Sequence, residues 1–115
     1  MSENCVFCKI VAGTIASEIL WQDEQVFAIQ DIAPRAPVHL LVLPKQHLST
    51  MLEVDDAATA LSMFTAVQAL KSSHAAQYAG FNIVVNNGKA AGQIIEHLHW
   101  HFLAGKNLYD GQLTL

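Results

Sequence analysis

His97-Leu98-His99-Trp100-His101-Phe102 alternates imidazoles with large apolar side chains, a repeat of period two. Successive residues of a β-strand point to opposite faces, so Leu98, Trp100 and Phe102 are expected to enter a core. His97, His99 and His101 then line the other face, with neighbours about 7 Å apart. Three of the chain's 6 histidines fall in this one segment. Imidazole is a poor choice for packing alone, yet it changes protonation near neutral pH, ligates metals and attacks phosphorus. Three readings follow. The segment is a polar strand face that happens to be histidine, or it holds a catalytic zinc through two or three imidazoles with His39 or Glu96. In the third reading the central histidine is a nucleophile toward phosphorus, and its neighbours hold and protonate phosphate oxygens.

The flanking sequence favours the third reading. Gly88 and Gly92 bracket a small-residue loop, Asn87 to Gln93, whose backbone amides could reach a phosphate. Upstream, Val6 to Val11 is a short apolar stretch of one or two helical turns, ended by Gly13. Two β-type runs, Glu18 to Gln22 and Gln25 to Asp31, are joined by a turn at Asp23-Glu24. Pro34 and Pro37 keep the chain extended around Arg35. His39 to Leu43 reads as a buried strand closed by Pro44. A long helix is expected from a cap at Asp55 to a stop at Gly80. Met63, Val67, Leu70 and His74 form its apolar stripe, with Phe64 beside it and His74 at the edge of the core. Phe81 to Asn86 and His97 to Leu103 complete the strands. Hairpin-linked strands with one long helix give an α+β fold with an antiparallel sheet of about five strands.

A length of 115 residues suits one domain, spanning 1–115, large enough to bury one core. The hydrophobic fraction of 52% leaves apolar surface that a partner subunit could cover. With 6 Lys plus Arg against 10 acidic residues the net charge is −4, which argues against nucleic acid as a partner. No apolar run approaches the ~20 residues of a membrane helix, and the polar start is unlike a signal peptide. A cytoplasmic protein is the expectation. Cys5 and Cys8, two residues apart, then suggest a metal site or a redox pair before a structural disulfide. Almost nothing precedes Cys5, where a thioredoxin-like pair would want a strand.

Gly92-Gln93-Ile94-Ile95-Glu96-His97-Leu98-His99-Trp100-His101 resembles the signature of the histidine-triad family, His-φ-His-φ-His-φ with a Gly-Gln lead-in. Asp31-Ile32-Ala33-Pro34-Arg35-Ala36-Pro37-Val38-His39 resembles its Asp-Ile-x-Pro-x-Ala-Pro-x-His segment. Pro44-Lys45-Gln46-His47 is similar to its Pro-Lys-x-His, and Asn82 to Gly88 to its penultimate strand and loop. The likeness covers Cys5 to Gly105 and is closest to zinc-containing bacterial members near the nucleoside-phosphoramidase branch.

That resemblance implies a purine nucleotide or nucleotide conjugate as ligand and a two-fold homodimer. It implies that His99 forms a nucleotidyl-histidine intermediate, which water hydrolyses to release AMP. His101 would hold the non-bridging oxygens, supported by His39 from the neighbouring strand, and His97 completes the catalytic row. Asn86 and Gln93 match phosphate-side positions, Asp31 the carboxylate that accepts the ribose hydroxyls. Phe7, Ile10, Ile29 and Ile32 match the purine slot, although such residues also build ordinary cores. Ile94 departs from the Ser or Thr of many phosphoramidate-cleaving relatives, which touches turnover and leaving-group choice. Cys5 and Cys8 resemble half of a structural zinc site completed by His47 and His97; a His97 so used is no longer a free proton donor. The rival functions are a dinucleoside polyphosphate hydrolase and a nucleotide-binding sensor or scaffold with little turnover.

Overall fold

The computed structural model describes residues 4–110. A short helix, α1 (Val6–Val11), is followed by strands β1 (Trp21–Gln22), β2 (Val26–Gln30) and β3 (Val38–Pro44). The long helix α2 (Ala57–His74) then leads to β4 (Phe81–Val84) and β5 (Trp100–Ala104). The five strands form one sheet in the order β1-β2-β3-β5-β4, and every neighbouring pair is antiparallel. The α+β class, the five-stranded sheet, the short first helix and the single long helix agree with the sequence reading.

The two central strands explain why their sequences are apolar at nearly every position. On one face α2 lays Met63, Ala66, Val67 and Leu70 against Val26, Ala28, Leu40, Val42 and Phe102. On the other, Cys5, Phe7 and Cys8 of the N-terminal segment cover Phe27, Ile29, Leu41 and Leu43. A strand covered on both faces loses the apolar–polar alternation that marks a half-exposed one. The turn between β1 and β2 is held by Asp23, whose carboxylate accepts the backbone N–H groups of Gln25 and Val26 at 2.9 Å each. Its other oxygen takes the Ser62 hydroxyl, which ties the turn to α2.

Several boundaries move. Asp56 caps α2, its carboxylate accepting the Thr59 N–H at 2.9 Å, where Asp55 was expected. The helix stops at His74 and turns through Ala75 to Gly80 before β4. The first strand starts at Trp21, not Glu18. The largest difference concerns the histidine segment: β5 begins only at Trp100. Before it the chain bends, with the Leu98 N–H bound to the Leu48 carbonyl and the His97 N–H to that of Ile95. The period of two therefore holds for His99 and His101, and His97 leaves the row. No helix among the described residues is long and apolar enough to cross a membrane.

Candidate active site and metal centre

The antiparallel register aligns Ile29, Leu41, His101 and Val84 across four strands. Above this row lies a cavity of about 410 Å³, closed on one side by α1 and on the other by the loop after β4. Phe7, Ile10, Ile29, Asp31, Ile32, Asn86, Ile94, His99 and His101 all line it. Leu41 and Ile95 also line it; sequence reading placed Leu41 in a buried strand and gave Ile95 no role. So does Arg35, the chain's only arginine, whose place between two prolines was the available signal.

Backbone groups decide which nitrogen of each histidine carries hydrogen. His99 Nδ1 sits 2.7 Å from the His97 carbonyl oxygen, which can only accept, so Nδ1 donates. Nε2 of His99 is left with its lone pair available as a nucleophile. The Arg35 backbone N–H donates to His39 Nδ1 at 3.0 Å, so His39 carries its hydrogen on Nε2. That Nε2–H is 2.9 Å from His101 Nδ1 and 3.3 Å from an Asp31 carboxylate oxygen. His101 Nδ1 accepts, and its Nε2–H becomes a donor. The chain Arg35, His39, His101 thus ends in a hydrogen aimed by the backbone rather than by chance. Asp31, His39 and His101 are also close enough to share a cation. A ring nitrogen that already bears hydrogen cannot ligate, so the hydrogen-bonded arrangement accounts for their contact.

Both members of this relay resist protonation. Burial, with His99 and His39 beside it, brings the His101 pKa down to about 4. Burial likewise lowers that of His39, against the opposing pull of Asp31, with Arg35 lowering it further. An unfolded histidine takes its proton near pH 6.5, whereas folded His101 does so only near 4. Between those values the unfolded chain binds more protons, so this contribution to stability is complete above pH 6.5 and lost as pH falls toward 4. Allowing for solvent screening at the exposed edge of the ring, the loss is about 1–2 kcal/mol. Denaturant titrations at pH 7 and 4.5 are expected to show a loss in the wild type that exceeds the loss in His101→Gln by about that amount. Equal differences in the two proteins would contradict it.

Three expected site residues do not line the cavity. Gln93 does not face the cavity: its side-chain oxygen accepts the Gly88 N–H at 2.7 Å, and its amide donates to the carbonyls of Ser49 and Ile95 at 2.7 and 2.9 Å. With every hydrogen of that amide committed, Gln93 braces the loop that carries Ile94, and a phosphate would have to displace those bonds. His97 is fully buried beneath the site. Its Nε2–H donates to the Pro44 carbonyl at 2.9 Å, and its Nδ1 faces the sulfurs of Cys5 and Cys8 at 3.3 and 3.6 Å. It is no donor to the cavity. His39 also sits behind His101, and acts on the cavity only through it.

Cys5, Cys8, His47 and His97 form a separate centre whose four ligand atoms lie within 4.8 Å of one another. Cys8 Sγ is 3.2 Å from His47 Nδ1. A tetrahedral zinc with ordinary Zn–S and Zn–N bonds sets adjacent ligand atoms about 3.5 Å apart. Burial holds the His97 pKa down to about 4, with the Pro44 hydrogen bond opposing. The neutral ring, its hydrogen pinned on the far nitrogen by a carbonyl, is the form a metal needs. The donor set therefore fits zinc.

A family model for the HIT domain matches residues 12–108. The chain is a member of the HIT domain family. A HIT family hydrolase from Clostridium thermocellum superposes with a TM-score of 0.85 at 38% identity, covering 94% of this chain and 96% of that one. An uncharacterised HIT-like protein of Synechococcus elongatus is 38% identical over 110 residues, 94% of this chain and 96% of its own length. The adenosine 5′-monophosphoramidase of Candida albicans is 30% identical over 113 residues, 94% of this chain and 74% of that protein. The matched region contains the whole relay of this HIT domain and two of the four metal-site residues, His47 and His97.

Proposed function

We propose that this HIT domain hydrolyses purine nucleoside phosphoramidates or related adenylated small molecules through a nucleotidyl group carried on His99, releasing AMP. The observation that carries the reading is the carbonyl-fixed tautomer of His99, with a bare Nε2 in a cavity beside the donor end of His101. The purine would occupy the slot of Phe7, Ile10, Ile29 and Ile32, with the ribose hydroxyls on Asp31. His99 Nε2 attacks the α-phosphorus, and the P–N bond breaks with its electron pair leaving on the amine, which takes a proton from solvent. His101 Nε2–H and the Asn86 amide hold the non-bridging oxygens as charge redistributes. Water then attacks the same phosphorus, loses a proton to solvent and returns the electron pair to His99. The named activity of the Candida relative supports this choice over a dinucleoside polyphosphate.

AMP release from an adenosine phosphoramidate and a diadenosine polyphosphate, followed side by side, tests the substrate class. Faster release from the phosphoramidate is expected; preference for the polyphosphate would move the chain to that activity. Ile94, 85% exposed at the cavity, favours the binding-only reading, since an isoleucine adds no hydroxyl at the phosphate. AMP bound with no product from either compound would establish it.

Zinc in the Cys5, Cys8, His47, His97 centre is the proposed cofactor, with a structural role: it would fix the N-terminal segment to the sheet. Reduced thiols fit a cytoplasmic location. A homodimer is proposed from an apolar surface along the free edge of β4. Phe81 and Ile83 of β4 are exposed, as are Leu61 and Phe64 of α2, Phe64 against Trp100 of β5, whose buried indole N–H has no hydrogen-bond partner among the described residues. Phe64→Lys is expected to turn a dimer into a monomer in sedimentation velocity; a wild-type monomer would refute the pairing.

A further inference from the structure

Arg35 is the only Lys or Arg among the residues that line the cavity, in a chain with 6 such cations in all. Its root is fixed: prolines at 34 and 37 stiffen the loop, and its backbone N–H is bound to His39 Nδ1. Its guanidinium has no ion-pair partner among the described residues. The carboxylate nearest along the chain, Asp31, accepts the Ala33 N–H at 2.8 Å and faces His39 and His101 instead. An exposed guanidinium without an ion-pair partner, on a residue that lines a cavity, is a planar fork of donors suited to an oxyanion.

The order of groups says which oxyanion. Arg35 contacts His39, His39 contacts His101, and the His101 ring lies 5.0 Å from that of His99. The Arg35 backbone thus joins the row at the end remote from the nucleophile, and the residue lines the same cavity. In a displacement at phosphorus the leaving group departs opposite the attacking atom. We infer that Arg35 binds an oxyanion carried by the leaving half of the substrate, a phosphate or a carboxylate, so that the site prefers nucleotide conjugates with an anionic leaving group. This rests on the attack by His99 proposed above. The positive charge of Arg35, which adds to the burial that lowers His39 and His101, agrees with such a place beside the relay.

Two ratios measured on the full chain test it. The first is the affinity for ADP over AMP by calorimetry, which needs no turnover. The second is kcat/KM for the adenosine phosphoramidate of glycine over that of glycinamide, which differ in one carboxylate. Wild type is expected to favour the anionic member of each pair, and Arg35→Ala to lower the ratios roughly tenfold, with Arg35→Lys between. Loss of the first ratio alone assigns a phosphate, and of the second alone a carboxylate. Both ratios staying within twofold in Arg35→Ala would overturn the inference, as would equal weakening of AMP and ADP. Absence of AMP release from both phosphoramidates would sink the hydrolase reading while the ADP ratio still judges Arg35.

Discussion

Replacing His99 with alanine is expected to lower AMP release from an adenosine phosphoramidate by at least roughly a thousandfold, because the group that forms the intermediate is gone. AMP affinity should change far less. The slot of Phe7, Ile10 and Ile29 and the Asp31 carboxylate come from α1, β2 and the loop after it; of these, Phe7 packs 5.3 Å from the substituted ring, and the others stay in place. The melting temperature should move little, since His99 is only half-buried and its side chain makes one hydrogen bond, to the His97 carbonyl. His99→Ala that binds AMP, melts normally and still releases product at the wild-type rate would contradict the mechanism. His101→Ala is a weaker lesion: it removes a donor to phosphate oxygens and leaves the nucleophile in place.

Cys8→Ser has the second largest expected effect, and it falls on stability. Cys8 is buried, 3.2 Å from His47 Nδ1 and 3.6 Å from His97 Nδ1, in the centre where zinc is proposed. A ligand lost from a folded zinc site removes binding energy that the unfolded chain does not recover. A loss of about 3–5 kcal/mol is expected, a fall in Tm on the order of 15 °C for a domain of this size. Metal analysis of the purified variant should show the zinc content reduced from one per chain. The nucleotide site should feel it as well. Phe7, between the two cysteines in sequence, packs its ring 5.6 Å from His97 and 5.3 Å from His99, and the His97 carbonyl fixes the His99 tautomer. AMP affinity is therefore expected to weaken in Cys8→Ser. Wild-type protein without metal, or Cys8→Ser with unchanged Tm, would remove the structural role of zinc.

The sequence was most legible where one side chain does one local thing. The alternation through His99, Trp100, His101 and Phe102 placed two imidazoles toward one cavity because β5 is regular from Trp100 and His99 immediately precedes it. It failed at His97 because the chain bends before β5, held by the Leu48 carbonyl from a distant loop. No local pattern carries a bond between residues 48 and 98. Gln93 was likewise opaque: the family resemblance implies a phosphate contact, and only the fold brings Ser49 within reach of its amide. The burial of β3 was visible as a continuous apolar run, whereas that of β2, and which helix covers which face, was not. The metal centre stood half-written in Cys5-x-x-Cys8; resemblance alone joined it to His47 and His97. Arg35 shows the opposite case. Its residue type and flanking prolines were in view, but its meaning depends on which side of His101 it lies, and that is a property of the β2–β3 connection.

Attack by His99 means two successive displacements at one phosphorus, each inverting it. Hydrolysis of an adenosine phosphoramidate made chiral at the α-phosphorus with oxygen isotopes and sulfur should therefore give AMP analogue of retained configuration. Net inversion would mean a single direct attack by water, with His99 reduced to a bystander.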